Sequence, residues 1–297
     1  MPAPAPFLVP APDAPTPVPA PDLAGLRARL AGLEPRAQSP GDGFGPAWPG
    51  LDPRLGRLRR DALHEVRAAE PRHAVAAAGF GLGLACLARG HTPGPLVWVL
   101  ETRAEAEIGA LYGPGLQAWG LDPAEVLLVR APRPEALLAA GEEALRSGAA
   151  GAVLMTAWGD SRAFSLTASR RLALAAAAGG SAGLLVRAGL AADAPDGTSA
   201  AESRWRLRPA PSTAPPTPGP PPPLGLAERV PGRPAFRAAL FRSRAGVAPA
   251  EWIMEWDRAA RAFVAPTPSG GLVSLPADRP AGLARRPERG PERRRVA

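Results

Sequence analysis

From about Leu58 to Arg208 the chain alternates short apolar runs with longer segments of helical spacing. The apolar runs Leu63–Val66, Leu96–Leu100, Val126–Val129, Ala152–Ala157 and Gly183–Arg187 predict strands. In Leu96-Val97-Trp98-Val99-Leu100 every position is apolar, as in a strand covered on both faces. Between these runs lie predicted helices over Ala74–Ala88, Arg103–Trp119, Pro134–Ser147 and Leu166–Ala178, the last capped by Ser165. Strands alternating with helices through short links imply a parallel sheet flanked by helices. Arg204–Leu207 reads as one more strand, at an edge. Phe236–Arg242 and Trp252–Asp257 then predict an antiparallel hairpin, with Arg244-Ala245-Gly246 supplying its turn. The expected class is α/β: a mostly parallel sheet flanked by helices, a C-terminal antiparallel hairpin and disordered termini.

Proline and charge set the expected boundaries. Residues 1–22 hold nine prolines and read as a disordered leader. Residues 23–57 follow as a helix and a loop: Asp22 stands as an N-cap before the stripe Leu23, Leu26, Leu30 and Leu33. Residues 58–208 form the α/β core. Residues 209–234, with eleven prolines, read as a linker, and 235–278 carry the hairpin. The tail 279–297 has seven Arg against two Glu, a net +5 of the chain's +8. Such end segments bury too little apolar surface to offset their ordering entropy, so both are expected to be mobile.

Composition narrows the chemistry. All 35 basic residues of the 297 are Arg, and there is no Lys. A phosphate loop that relies on Lys, and a pyridoxal Schiff base, are therefore excluded. One Cys (Cys86) and three His (His64, His73, His91) make no structural zinc site and no internal disulfide. No catalytic residue, cofactor or metal is expected. No uncharged run approaches the ~20 apolar residues of a membrane span, and the N-terminus lacks the regions of a signal peptide. A cytoplasmic protein is expected.

Two motif matches have plainer explanations. Gly179-Gly180-Ser181-Ala182-Gly183 fits the nucleophile-elbow pattern, but its helix precedes and its strand follows, the reverse of that motif. Helix-terminating glycines account for it. In Gly79-Phe80-Gly81-Leu82-Gly83 the spacing is wrong for a dinucleotide loop, and close helix–sheet packing is the better reading. On the same helix Cys86 reads as a small buried hydrophobe, and on the first core strand His64 reads as a hydrogen-bonded structural histidine.

Arginine carries more information. Arg170 and Arg171 on the last core helix, Arg204, Arg206 and Arg208 on one side of a strand, and Arg242 and Arg244 at the hairpin turn form a candidate phosphate-binding face. Arg293, Arg294 and Arg295 add the densest charge, for nucleic acid or an acidic protein surface. Trp252, Met254 and Trp256 share one strand face, read as core in preference to a partner patch. Arg258 and Arg261, just past that strand, are then the better exposed contacts.

Nine blocks appear in an order that resembles the inducible mutagenesis protein A (ImuA) family, a RecA-like group of bacterial DNA-damage proteins. They include Leu63-His64-Glu65-Val66, Ala76-Ala77-Ala78-Gly79-Phe80, Pro95-Leu96-Val97-Trp98-Val99, Leu111-Tyr112-Gly113-Pro114-Gly115-Leu116 and Gly120-Leu121-Asp122-Pro123. Val126-Leu127-Leu128-Val129-Arg130, Glu142-Glu143-Ala144-Leu145-Arg146, Leu166–Leu172 and Trp252-Ile253-Met254-Glu255-Trp256-Asp257 complete the series, which spans roughly residues 23–265. The resemblance implies a degenerate RecA-like core. Ala74 and Val75 fall on the phosphate-loop Lys and Thr, Thr156 falls on the magnesium-directing Asp, and Glu101 alone keeps the active-site residue type.

It further implies a non-catalytic accessory protein of damage-induced (SOS) translesion synthesis. Its partner would be ImuB, a polymerase-like protein, and through it an error-prone polymerase, with nucleoid association on damage. Neither Gln38 nor Gln117 opens a clamp-binding peptide, so clamp contact would come through the partner. Two other readings stay open: a single-strand DNA-binding module, and a cell-division inhibitor of the SulA type.

Overall fold

The computed structural model describes residues 43–45, 58–90, 93–212 and 232–266. The leader, the helix expected from Leu23 to Leu33, most of the Pro-rich stretch and the tail with Arg293, Arg294 and Arg295 lie outside the described residues.

A small ribbon, β1 (Gly43–Phe44) with β2 (Leu58–Arg59), precedes the main sheet. The main elements follow as β3 (Leu63–Ala68), α1 (Ala74–Arg89), β4 (Leu96–Glu101), α2 (Thr102–Ile108), α3 (Gly113–Ala118), β5 (Val126–Ala131) and α4 (Pro134–Arg146). Then come β6 (Ala152–Trp158), α5 (Leu166–Gly179), β7 (Ala182–Ala188), β8 (Ser203–Pro209), β9 (Ala235–Ser243), β10 (Ala250–Asp257) and β11 (Ala262–Val264). Among the described residues nine strands form one sheet in the order β11-β10-β9-β8-β3-β7-β6-β4-β5. The six from β8 to β5 are parallel, and β9, β10 and β11 are added antiparallel. This is the α/β class expected from the sequence, a mostly parallel sheet flanked by helices with antiparallel strands added at the C-terminal side.

The two sheet faces have separate cores. On one face, alternate positions such as Val66, Trp98, Leu154, Val186 and Trp205 pack under α1 with Phe80, Phe236 and Trp256. On the other, Leu63, Val97, Val153, Met155 and Leu185 pack under α4 and α5 with Leu137, Leu145 and Leu172. The alternation follows from the two-residue period of a strand. Helix α1 fits closely because it carries glycine: a Cβ on Gly81 would lie 2.5 Å from Val186 Cγ2, and one on Gly83 2.5 Å from Phe263 Cζ. That is the packing role read from Gly79–Gly83. Ser165 caps α5 by accepting from the Ala168 amide at 3.2 Å, and Gly180 (φ 67°) ends it in the left-handed region.

Three expectations are corrected. Arg103–Trp119 is two short helices, because Gly109 adopts φ 94° and Pro114 opens the next helix. The Arg204–Leu207 strand is interior, between β3 and β9, since the hairpin extends the sheet beyond it. The hairpin also gains a third strand, β11, which is only three residues long and too short to leave a pattern in the sequence.

His64 is fully buried in a network that its neutral form satisfies. Its Nε2 donates to the Arg59 carbonyl at 2.8 Å. The Ser203 hydroxyl, 2.8 Å from Nδ1, donates to that nitrogen and accepts from Trp205 Nε1 at 2.9 Å. Burial lowers its pKa from 6.5 to about 4. The unfolded chain thus binds the proton more tightly than the fold does. Stability from this residue is intact above pH 6.5 and falls as pH drops toward 4, by up to about 1.4 kcal/mol per pH unit. Melting curves between pH 7 and 4 should show this fall, and it should shrink in His64→Gln.

Candidate functional site

The junction from β3 to α1 is where the resemblance drawn from the sequence would put a phosphate loop. Here it is a tight turn, Pro71–His73, with no side-chain cap on the helix. Pro71 has no amide hydrogen to offer. The Glu70 carboxylate sits at the turn and pairs with Arg72 at 2.8 Å. Val75 is 66% exposed, and Thr156, which the resemblance sets at the magnesium-directing Asp, is buried, accepting from Trp98 Nε1 at 3.1 Å. Glu101 is buried and accepts from the Trp158 amide at 2.8 Å. An anion, an absent donor and an apolar side chain do not fit nucleotide phosphates and their metal.

The predicted arginine face divides. Arg204, Arg206 and Arg208 do share one side of β8, on the face under α4 and α5, but their exposure rises along the strand. Arg204 is buried: Nε donates to Glu65 Oε2 at 2.9 Å, Nη1 to the Gly197 carbonyl at 3.0 Å and Nη2 to the Asp196 carbonyl. It is a structural cation and not a surface contact. Arg206 pairs with Asp196 at 2.8 Å, and the Phe241 ring lies against both guanidiniums. Arg208, Arg242 and Arg244 are exposed, as is Arg170. Arg171 is exposed and tied to Glu142 at 2.6 Å.

Around Arg204 lies a buried ionic cluster that the sequence reading missed. Arg67 donates to Asp196 Oδ1 at 2.9 Å and to the Pro195 and Ala194 carbonyls. Arg187 reaches Asp160 at 3.2 Å and Glu65 at 3.9 Å. The sequence held only a partial signal: Arg187 interrupts an otherwise apolar strand, and a buried charge must be paired, but nothing in the sequence says with what. The cluster clamps residues 194–197 over the sheet.

At the far end of the sheet, Met254 and Trp256 are fully buried and Trp252 is half-buried. The core reading holds for the first two, and Trp252 lies at its margin, 6.1 Å from the Trp205 ring. Next to them an open cleft of about 1160 Å³ runs past Gln117, Gly120, Arg233, Asp257, Arg258 and Arg261. Asp257 builds its turn by accepting from the Ala259 and Ala260 amides; the latter bond, with help from Arg233 at 2.8 Å, holds its carboxyl below the usual range. Arg261 takes φ 47°, a strained conformation for a side chain of that size. Both Arg258 and Arg261 are exposed, as expected from their place past the strand. Cys86 packs on the core, and burial pushes its thiol up to about 12.

Among the described residues no helix is long and apolar enough to cross a membrane, and no three His, Cys, Asp or Glu side chains are grouped to hold a metal ion. No protein-family model matches the chain. Among solved structures, it is similar to SulA from Pseudomonas aeruginosa, with 25% identity and a TM-score of 0.34 over 43% of this chain and 98% of that one. Among curated proteins, it is similar to Protein ImuA from two strains of Caulobacter vibrioides. Each is 35% identical over 216 residues, covering 69% of this chain and 78% of the relative. On that similarity the chain belongs to the ImuA family.

Proposed function

We propose that this protein is a non-catalytic accessory factor of damage-induced translesion synthesis. It acts with an ImuB-like, polymerase-related protein and, through it, with an error-prone polymerase. The observation that carries this reading is the β3–α1 junction in a member of the ImuA family. The RecA-like sheet is kept, while Glu70, Pro71 and Val75 occupy the place where phosphate would be held. A fold that keeps its shape without its phosphate cradle is suited to presenting surface. Exposed Arg258 and Arg261, beside the cleft, are the proposed partner contacts, matched to an acidic segment of the partner.

Direct DNA contact would fall to Arg170, Arg208, Arg242, Arg244 and the tail. The core arginines are less suited to it, because Arg204 spends its donors internally.

The purified chain should show no ATP turnover above background, with or without DNA and magnesium. Turnover that survives further purification and scales with protein would overturn the non-catalytic reading. Recovery of the ImuB-like protein from damaged cells, with this chain as bait, would support the partnership. Recovery of division proteins or of DNA alone would contradict it.

A further inference from the structure

Among the described residues the ionic cluster under 194–197 is not charge-balanced. Arg67, Arg187, Arg204 and Arg206 face Glu65, Asp160 and Asp196, four positive charges against three negative. The deficit concentrates on Arg187, which is 8% exposed. Among the described residues its close carboxylate is Asp160 at 3.2 Å; Glu65 stands off at 3.9 Å, and the Arg187 Nε is buried without a partner. Phe164 covers the flat face of the guanidinium at 4.6 Å, so water has little access from that side.

A cavity of about 30 Å³ lies beside it, lined by Arg187, Phe164, Ser165, Ala168, Thr198 and Ser199, with Glu65, Asp196 and Arg204 also at its wall. The N-terminus of α5, 14 residues long, opens onto this space. The Ala168 amide at this end is already taken by the Ser165 hydroxyl, so it is the helix dipole that makes the end favourable for negative charge. Both wall carboxylates are already engaged, Glu65 by Arg204 and Asp196 by Arg67 and Arg206. Space for about two water-sized atoms excludes a nucleotide phosphate and admits a single-atom anion.

We propose that this cavity binds one small inorganic anion of chloride size between Arg187 and the N-terminus of α5. The anion supplies the missing negative charge and gives the orphaned Arg187 Nε an acceptor. It thereby ties α5, β7 and the segment 194–199 together. This site is independent of the proposed partnership.

The test is the melting temperature of the full chain in sodium chloride against sodium gluconate, whose anion is too large to enter, at equal ionic strength. A saturable rise of roughly 2 °C or more in chloride is expected. Arg187→Gln should melt at the same temperature in both salts. Should that variant fail to fold, chloride-35 NMR line broadening on the unaltered protein, abolished by bromide competition, provides the same reading. A bromide-soaked crystal should place the ion beside Arg187 Nε. Equal melting in the two salts, an unchanged chloride response in Arg187→Gln, or bromide bound only elsewhere would overturn the proposal. So would stabilisation at low concentration by phosphate but not by chloride.

Discussion

Replacing Glu65 by Gln is expected to destabilise the protein by about 3–5 kcal/mol, the usual cost of stranding a buried charge. Glu65 Oε2 accepts from Arg204 Nε at 2.9 Å, and both side chains are nearly inaccessible, 4% and 3% exposed. Arg187 also faces it at 3.9 Å. The substitution keeps size and shape, so a loss reports charge and not a cavity. Arg204→Met made on top of Glu65→Gln should cost less than the sum of the two single changes, because the second removes the charge the first left unpaired. Chemical denaturation of the four proteins checks this. Additive losses, or a Glu65→Gln loss below about 1 kcal/mol, would show that the pair is not a unit.

The second large effect is at Trp256. The indole is 1% exposed, stacks on Trp119 with centroids 5.3 Å apart and meets the Phe263 edge at 5.0 Å. Its Nε1 donates to the Trp119 carbonyl at 3.1 Å. Trp256→Ala should therefore cost about 3–5 kcal/mol through the cavity and the lost contacts. Trp252→Ala, on a half-buried side chain of the same strand, should cost less than half as much. Equal losses would mean that both indoles are core, and a folded, stable Trp256→Ala protein would contradict the packing described above.

These two sites differ in how far the sequence disclosed them. Trp256 was legible because period-two alternation puts Trp252, Met254 and Trp256 on one face, and large aromatics are rarely left exposed. The parallel core was legible from its strands: Leu96–Leu100 is apolar throughout, as a strand covered on both faces must be, and Ala152–Ala157 is nearly so. The Glu65 cluster was not. Its members come from β3, the loop after β6, β7, β8 and the segment around Asp196, and only the adjacency of β8, β3 and β7 brings them together.

The alternation that correctly placed Arg204, Arg206 and Arg208 on one face carried no information on what covers it. A face reads as solvent from spacing alone, yet residues 194–197 fold over Arg204. The interior position of β8 was hidden likewise. A strand with three arginines looks like an edge until pairing with β9 and the ion pairs to Glu65 and Asp196 are seen. At the β3–α1 junction the sequence said more, since the lack of any Lys already removes the phosphate-loop residue before any geometry.

On the proposed function this fold works by binding a partner and not by turning over nucleotide. The most direct measurement is a titration of the purified ImuB-like protein with the full chain, with and without ATP and magnesium. Binding with a Kd of about 1 μM or tighter, unchanged by nucleotide and weakened at least tenfold in Arg258→Glu/Arg261→Glu, is the predicted result. No binding between two folded proteins, or binding that depends on ATP, would contradict it.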